Sequence, residues 1–533
     1  SKRDKNMLNW VWENTLSYTT IIKDVHNLSA IAGWTAQKES VNTSLLAGNG
    51  YPNDLVHTMN AASAITSWSA TAYEWSLLSA LARVQYSYKG KYLLSAAARM
   101  DGSSRFGKNN RWGMFPSASA GWYISEEDFM KDIKWLTSLK LRASYGISGN
   151  FNIGNYEYYA TLSEDNYVFG KADGTLASGL RPATAGNPDL GWEKTAMFNL
   201  GLEIGLFNML TLELDLYNSN TTDMLLNVPV AEFSGCSTVP MNIGKVNNRG
   251  WEIALTSQKN FTKDFGYSFN ANYATNTNEV KALGPGNAPI ISTGSVDHAY
   301  YITKVGEPIG CYYLLVQDGI FSNEEELKKY PHFSNTQPGD FRFVDVDGDG
   351  VMDLDKDRTI VGNYMPDFTY GFGGKVWYKG IDLDFNFQGV YGNEILNLNR
   401  RYIDNLEGNT NGTTIALNRW KSADNPGNGQ VNRANRKSKG YNGRTSTWHL
   451  EDGSYLRLQN VTLGYTLPQN LTRRFFVEKL RVYVSGQNLW TSTNYGGYNP
   501  EVNARPSNSL SPGEDYGTYP LAKTFLFGLN ITL

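Results

Sequence analysis

Four aspartates at close spacing form the clearest candidate for a chemical site. Carboxylates at alternate positions, followed by a glycine at the sixth place that permits a sharp turn, are typical of calcium-binding loops. In such loops the seventh residue contributes a backbone carbonyl. The sequence therefore predicts a calcium site made by Asp345, Asp347, Asp349, Val351 and Asp353.

The twelfth place of this run departs from the calcium-loop pattern. A bidentate acid belongs there, but Lys356 occupies it, with Asp355 and Asp357 on either side. No helices are predicted to flank the run. The alternative is an acidic turn that is merely solvated. If a metal binds, we expect it to stabilise the loop and not to take part in catalysis, because no group that could activate a water is evident.

Catalytic chemistry finds no support in the remaining polar residues. Asp382 and Asp384 are spaced by two, which on a strand places both on one wet face and needs no catalytic explanation. The histidines are scattered outside any metal or nucleophile motif: His26, His57, His298, His332 and His449. We therefore predict that the protein is not an enzyme and has no organic cofactor.

Aromatic residues on predicted loops are the remaining binding candidates. Trp192, Tyr495 and Tyr498 could stack on sugar rings or pack against their neighbours, and packing is the default. The basic stretch 433–439 is better explained as a solvated part of a long loop than as a nucleic-acid site.

Composition narrows the class of protein. The 48 basic and 51 acidic residues give a net charge of -3, which argues against a nucleic-acid partner. Aromatic residues make up 13% of the chain and glycines number 52, a balance that favours strands and turns. Cys236 and Cys311 are too few for a disulfide framework and lack metal spacing. No linker divides the 533 residues.

Alternating strands are the elements that must position these residues. In the segment 366–388, Phe368, Tyr370 and Phe372 share one face, and the run continues after a turn at Lys379-Gly380 with Ile381, Leu383, Phe385 and Phe387. The opposite face carries Asp382, Asp384, Asn386 and Gln388. This pattern predicts an antiparallel hairpin with one apolar and one polar face.

Similar pairs recur along the chain, about seventeen strands in all, and short connections alternate with long ones. A gap is expected from 38 to about 74, a short helix within 125–138, and weaker strands around 305–308. Short turns then fall at one end of the sheet. The long loops at the other end are predicted to be 148–193, 219–246, 319–363, 392–454 and 490–521.

This asymmetry is typical of an outer-membrane barrel with short periplasmic turns and long extracellular loops. No apolar run approaches the ~18 residues of a transmembrane helix. Mean hydropathy is -0.42, as expected where apolar and polar residues alternate. The predicted fold class is an all-β transmembrane antiparallel β-barrel. A soluble sandwich or propeller is the alternative, but neither sorts its connections so strictly by length.

Several motifs, in order along essentially the whole chain, resemble the SusC/RagA group of TonB-dependent outer-membrane transporters, aligned with the C-terminal half to two-thirds of such proteins. They are DGSSRFG and FPSASAGW (101–122), LRASYGISGN (141–150), NPDLGWEKT (187–195), DGIF (318–321), GDFRFVDVDGDG (339–350), DRTIVGN with PDFTYGF (357–372), YLRLQNVTLGYTLP (455–468) and SGQNLW (485–490).

The resemblance implies a barrel of about 22 strands that imports glycan or peptide oligomers across the bacterial outer membrane. A SusD-like surface lipoprotein would act as a lid, and TonB, pulling on an N-terminal plug, would supply energy. Residues 1–533 are then expected to be the C-terminal part of the barrel, with the plug and first strands upstream of Ser1.

Two departures from the family pattern are visible. One extra residue separates Asp353 from Asp357, and the chain ends in Leu533, where an aromatic residue is usual.

The rival functions are a passive porin and a secreted calcium-binding β-protein that adheres to glycans.

Overall fold

In the computed structural model, strands account for most of the described backbone. It describes residues 1–56, 58–170, 174–229, 238–296, 298–408, 410–436 and 441–533. The strands are β1 (Lys2–Ile22), β2 (His26–Asn49), β3 (Ala64–Tyr88), β4 (Tyr92–Ser103), β5 (Trp112–Tyr123), β6 (Leu136–Asn150), β7 (Thr161–Glu164), β8 (Tyr167–Phe169), β9 (Thr175–Ala177), β10 (Leu180–Thr184), β11 (Glu193–Leu206), β12 (Leu210–Pro229), β13 (Thr238–Asn260), β14 (Phe265–Ala274), β15 (Thr277–Ala282), β16 (Ile290–Thr293), β17 (Tyr300–Thr303), β18 (Cys311–Leu315), β19 (Gln317–Ile320), β20 (Phe341–Phe343), β21 (Arg358–Gly362), β22 (Phe368–Tyr378), β23 (Ile381–Tyr391), β24 (Glu394–Asn397), β25 (Leu450–Asp452), β26 (Tyr455–Thr466), β27 (Lys479–Thr493), β28 (Glu514–Asp515) and β29 (Thr524–Thr532).

Sixteen of these strands form one antiparallel sheet. Its order is β1-β2-β3-β4-β5-β6-β11-β12-β13-β14-β22-β23-β26-β27-β29, with β15 paired to β13 beside this path. The predicted all-β fold with sequential pairing is therefore confirmed. Several connections at one end of the sheet are very short, such as 23–25, 89–91, 207–209 and 379–380.

The hairpin of β22 and β23 has the predicted register. Lys379 and Gly380 both have positive φ, 47° and 89°, as a two-residue turn that matches strand twist requires. Phe372 faces Phe387 across the pair, and their rings stack with centroids 4.8 Å apart. The apolar face is open: Ile381 and Leu383 are 49% and 41% exposed, whereas Asp382 between them is 7% exposed.

The described residues divide into two compact units. The first comprises residues 1–133, 138–202 and 217–246, and the second comprises 134–137, 203–216 and 247–533. The first unit buries an aromatic cluster of Phe106, Phe115 and Trp192. The second unit buries two larger clusters, contributed by residues of its long loops.

The strands predicted around 305–308 do not belong to the main sheet. They are β17 and β18, which form a separate four-stranded sheet with β16 and β21. Tyr301 and Tyr312 on these strands are fully buried. Their apolar side chains fill a core inside the loops and do not continue the outward-facing apolar band, so these two of the about seventeen expected strands lie outside the sixteen-stranded sheet.

The predicted gap 38–74 is wrong, because β2 runs on to Asn49 and β3 begins at Ala64. Polar side chains hold this extension together. Lys38 pairs with Glu74 at 3.0 Å, and Trp75 Nε1 donates to Glu39 Oε1 at 3.2 Å. Alternation is lost here since polar residues occupy both faces of the extension, yet the backbone ladder continues.

The predicted long loop 219–246 is also wrong in extent. β12 continues to Pro229 and β13 begins at Thr238, so both strands occupy most of that range. Residues 230–237 between them lie outside the described residues. The remaining long segments, 148–193, 319–363, 392–454 and 490–521, do hold long connections, although short strands lie within them.

The helical elements are all short. The α-helices are α1 (Glu324–Lys329), α2 (Arg400–Ile403) and α3 (Gln469–Thr472), and the 3-10 turns are Met59–Ala61, Ile124–Glu126, Asp128–Met130, Pro285–Asn287, Thr414–Asn418, Tyr441–Gly443, Thr447–His449 and Arg473–Phe475. The helix predicted within 125–138 is thus represented by 3-10 turns only. None of the helices in the described ranges has the length and apolarity needed to cross a membrane.

Candidate functional site

The polar face of the sheet in the second unit is a hydrogen-bonded wall. Arg481 makes two bonds to Asp382, at 2.9 and 2.6 Å, and Asn386 Nδ2 donates to Gln459 Oε1 at 2.8 Å. Thr462 Oγ1 donates to Ser485 Oγ at 2.8 Å. Amide, hydroxyl and charged groups on one face suit contact with water or with a polar cargo.

Three long connections of the second unit fold together into a body that we call the loop cap. It consists of the described residues of 283–367, 392–454 and 494–523. Its core contains Ala299, Tyr301, Tyr312, Leu314, Leu396 and Leu398. The Tyr312 hydroxyl donates to the carbonyl oxygens of Glu394 and Gly513 at 2.9 and 3.1 Å, so one buried tyrosine joins all three connections.

Buried carboxylates cross-link the loop cap further. The Glu514 carboxylate is fully buried and accepts bonds from Ser295 N at 3.0 Å and from Ser295 Oγ at 2.5 Å. Asp340 Oδ1 accepts from Arg433 Nε at 2.8 Å and from Asn442 Nδ2 at 2.9 Å. Because each carboxylate joins two different connections, the loop cap is held by directional bonds as well as by apolar packing.

His449 lies in the interior of the loop cap and is fully buried. Its Nδ1 accepts a hydrogen bond from Ser446 N at 3.3 Å. Burial, together with the neighbouring charges of Arg400 and Arg401, lowers the pKa of His449 to about 3. The imidazole is therefore neutral at physiological pH and serves as a packing group.

The predicted calcium loop brings three of its carboxylates together. Oxygens of Asp345, Asp347 and Asp349 lie within 4.8 Å of one another. Hydrogen bonds from backbone N–H groups, that of Gly350 first, lower the pKa of Asp345. The fourth acid of the predicted set, Asp353, bonds to the backbone that follows it: its Oδ1 accepts from Asp355 N at 2.6 Å.

Asp357, the residue after the twelfth place of the acidic run, has a structural contact of its own. Its carboxylate is fully buried and accepts from Val346 N at 2.9 Å and from Asp353 N at 2.6 Å. Lys356 Nζ points to Asp349 Oδ2 at 3.4 Å. The extra residue between Asp353 and Asp357 thus places the Asp357 carboxylate where it accepts hydrogen bonds from two backbone N–H groups of the loop. Calcium binding by Asp345, Asp347, Asp349, Val351 and Asp353 stays a prediction.

Trp192 is a core residue in the first unit. It is 4% exposed, and its ring lies 4.8 Å from that of Phe106 and 5.1 Å from that of Phe115. Its Nε1 donates to Arg111 O at 3.1 Å. A role for Trp192 in binding cargo would require this cluster to open, so the packing alternative fits the geometry.

The two tyrosines proposed as stacking residues differ in their surroundings. Tyr495 is buried beside Ile395 and Val502, and its hydroxyl donates to Asp515 Oδ2 at 2.6 Å. Burial, reinforced by this bond, raises the pKa of Tyr495. Tyr498 is 79% exposed. Of these two residues, Tyr498 alone presents an open ring to a ligand.

The cysteines and histidines add no reactive centre among the described residues. Cys311 is a buried thiol whose pKa burial raises to about 12, so it is unreactive near neutral pH. Cys236 and His57 lie outside the described residues. His26 Nδ1 contacts the Tyr86 hydroxyl at 2.7 Å, and His332 Nδ1 contacts Phe333 O at 2.9 Å.

Comparisons with known proteins agree with this architecture. The sequence profile described as "TonB dependent receptor-like, beta-barrel" matches residues 3–303. The chain belongs to the TonB-dependent receptor-like β-barrel family. TonB-dependent receptor P3 of Formosa agariphila is 34% identical over 99% of this chain and 52% of its own length. TonB-dependent receptor SusC of Bacteroides thetaiotaomicron is 33% identical over 87% of this chain and 44% of its own length.

A solved structure of the RagAB peptide transporter is similar throughout. It superposes with a TM-score of 0.83 and 28% identity, over 99% of this chain and 56% of that chain. The resemblance to SusC and RagA predicted from motifs is thereby confirmed, and with it a location in the bacterial outer membrane. The chain spans about half the length of the curated relatives that it matches.

Proposed function

We propose that this TonB-dependent receptor barrel takes part in active import of oligomeric nutrients, glycan or peptide oligomers, across the outer membrane. The single observation that carries the proposal is the similarity over nearly the whole chain to a protein described as the RagAB peptide transporter. The sequence similarity to SusC points to the same group.

The polar wall and the loop cap have separate roles in this proposal. Groups on the wall such as Asp382, Asn386 and Thr462 would keep the passage wet and offer exchangeable hydrogen bonds to a moving cargo. The loop cap would present a rigid outer surface, because its three connections share one core and buried carboxylate bonds.

The other components are proposed from family membership. The plug, the first barrel strands and the segment that contacts TonB would belong to the part of the relatives' length that this chain does not cover. A SusD-like surface lipoprotein would cover the outer opening as a lid. The matching family is described as receptor-like, which supports a transport role without catalysis.

Energy dependence separates this proposal from a passive porin. Cells that express the full-length protein and its lipoprotein would be given labelled peptide and glycan oligomers at low external concentration. The proposal expects accumulation above the external concentration, and loss of accumulation when TonB is deleted. Uptake that equilibrates and is indifferent to TonB would favour the porin.

Identification of ligand that copurifies with the lipoprotein complex would then decide between peptide and glycan. For the adhesin alternative, the test is detergent: a secreted protein would stay monomeric in plain buffer, whereas a barrel with an exposed apolar face needs detergent or lipid.

A further inference from the structure

A hollow interrupts the outward apolar face of the first unit. It has a volume of about 490 Å³ and lies on β3, β4, β5, β6 and β11. Its outward rim consists of the half-exposed side chains of Val84, Leu94, Tyr145 and Phe198. Its floor is made by four alanines, Ala96, Ala118, Ala120 and Ala143, with the intervening serines Ser95, Ser119 and Ser144 also in its lining.

The strand register explains the hollow. Ala96 faces Ala118 across the pair of β4 and β5, and Ala120 faces Ala143 across the pair of β5 and β6. Methyl groups at neighbouring outward positions leave space that larger side chains fill elsewhere. In the β22–β23 hairpin, for example, Phe372 and Phe387 occupy such a pair.

An aromatic row borders the hollow toward the short turns. The ring of Tyr92 lies 6.3 Å from that of Tyr88 and 6.4 Å from that of Trp122. Glu127 accepts bonds from the Tyr92 hydroxyl at 2.6 Å and from Trp122 Nε1 at 3.1 Å. Aromatic side chains with a polar end toward the turn mark the headgroup level of a bilayer.

A cation lies at the same level. Lys89 occupies the turn between β3 and β4 with φ of 51°, and its Nζ is 5.4 Å from the centre of the Tyr88 ring. A lysine at this level attracts the negatively charged phosphate of a lipid headgroup. Because the short turns are periplasmic, the lipids at this level belong to the inner leaflet of the outer membrane.

We propose that the hollow is a binding site for one acyl chain of a phospholipid from the periplasmic leaflet, with its phosphate near Lys89. A flexible hydrocarbon chain suits an open, alanine-floored hollow, and the aromatic row and lysine give the lipid a fixed depth. The site rests on the membrane location of the barrel and is independent of the cargo. The rival occupant is the apolar face of a second copy.

The test is native mass spectrometry of the full-length transporter complex, delipidated in detergent and titrated with a palmitoyl-oleoyl phosphatidylethanolamine. The double variant Ala118→Leu/Ala120→Leu fills the hollow. We expect it to weaken binding of the tightest lipid by about tenfold, the effect of losing apolar contact for roughly two methylenes. Lys89→Gln should weaken the same binding step less.

Ala98→Leu is the matched control, since Ala98 lies on the outward face of β4 outside the hollow, and it should bind lipid as the parent does. Heat-modifiable migration on gels confirms that each variant is folded. Unchanged lipid affinity in the double variant would overturn the proposal, as would an equal loss in Ala98→Leu. Unchanged lipid binding with a changed subunit number would assign the hollow to a second copy instead.

Discussion

Arg481 on β27 crosses the intervening strand β26 to reach Asp382 on β23. Its Nε and one terminal nitrogen lie 2.9 and 2.6 Å from the two carboxylate oxygens of Asp382. Gly464 on β26 makes the crossing possible, because a β-carbon there would lie 2.4 Å from the guanidinium. One ion pair thus links β23 and β27 across Gly464 of the intervening strand β26.

Removal of the Asp382 carboxylate should destabilise the barrel measurably. Asp382→Ala leaves Arg481 without its bidentate partner, and hydrogen bonds to charged groups contribute about 1.5–3 kcal/mol. Urea unfolding of the refolded barrel in lipid vesicles measures the loss. Asp384→Ala, in the same polar row, is the matched control and should cost less; equal losses would show that the pair has no special role.

Substitutions of Trp192 and of Tyr498 should separate a packing role from a binding role. Trp192→Ala removes a core ring and should cost about 3–5 kcal/mol of stability, whereas Tyr498→Ala changes an exposed residue and should stay within about 0.5 kcal/mol. Thermal unfolding of both variants, with cargo binding measured by calorimetry, tests this division. A stable Trp192→Ala protein with weakened binding would reverse the assignment.

Acid should loosen the loop cap through His449. The unfolded chain takes up a proton near pH 6.5 and the folded chain only near pH 3, so stability falls as pH drops between these values, by about 1.4 kcal/mol per pH unit. Hydrogen exchange of residues 445–450, corrected for intrinsic rates, should show decreasing protection from pH 6.5 to 4.5. His449→Asn should lack this dependence and His332→Gln should keep it.

Calcium should protect the acidic loop from proteolysis if the predicted site is real. We expect calcium to slow cleavage within 345–357 in the parent protein, and Asp345→Asn to abolish the effect because its carboxylate belongs to the three-acid group. Asp355→Asn is the control, as its exposed carboxylate pairs with Arg358. Identical cleavage of calcium-loaded and chelated parent protein would contradict the predicted calcium site.

The sequence predicted those parts of the fold that a repeating local pattern controls. The β22–β23 hairpin follows from alternation and a Lys-Gly turn. The extension of β2 beyond residue 38 has polar residues on both faces, so its sequence lacks the alternation that predicts a strand. Local patterns cannot predict the loop cap either, because its bonds are non-local: Ser295 and Glu514 are 219 positions apart. The sequence places Asp357 only next to the twelfth position of the acidic run, since nothing local shows that its carboxylate accepts bonds from Val346 N and Asp353 N.

We propose that the apolar face of the sheet meets lipid and that the polar face lines an aqueous passage. Adjacent residues on β23 test it most directly, through the free energy of unfolding of the barrel in lipid vesicles. Phe385→Lys should cost about 2–4 kcal/mol near the bilayer midplane, whereas Asn386→Asp should be nearly silent for folding. If Asn386→Asp were the damaging substitution and Phe385→Lys the tolerated one, the assignment of the two faces would be contradicted.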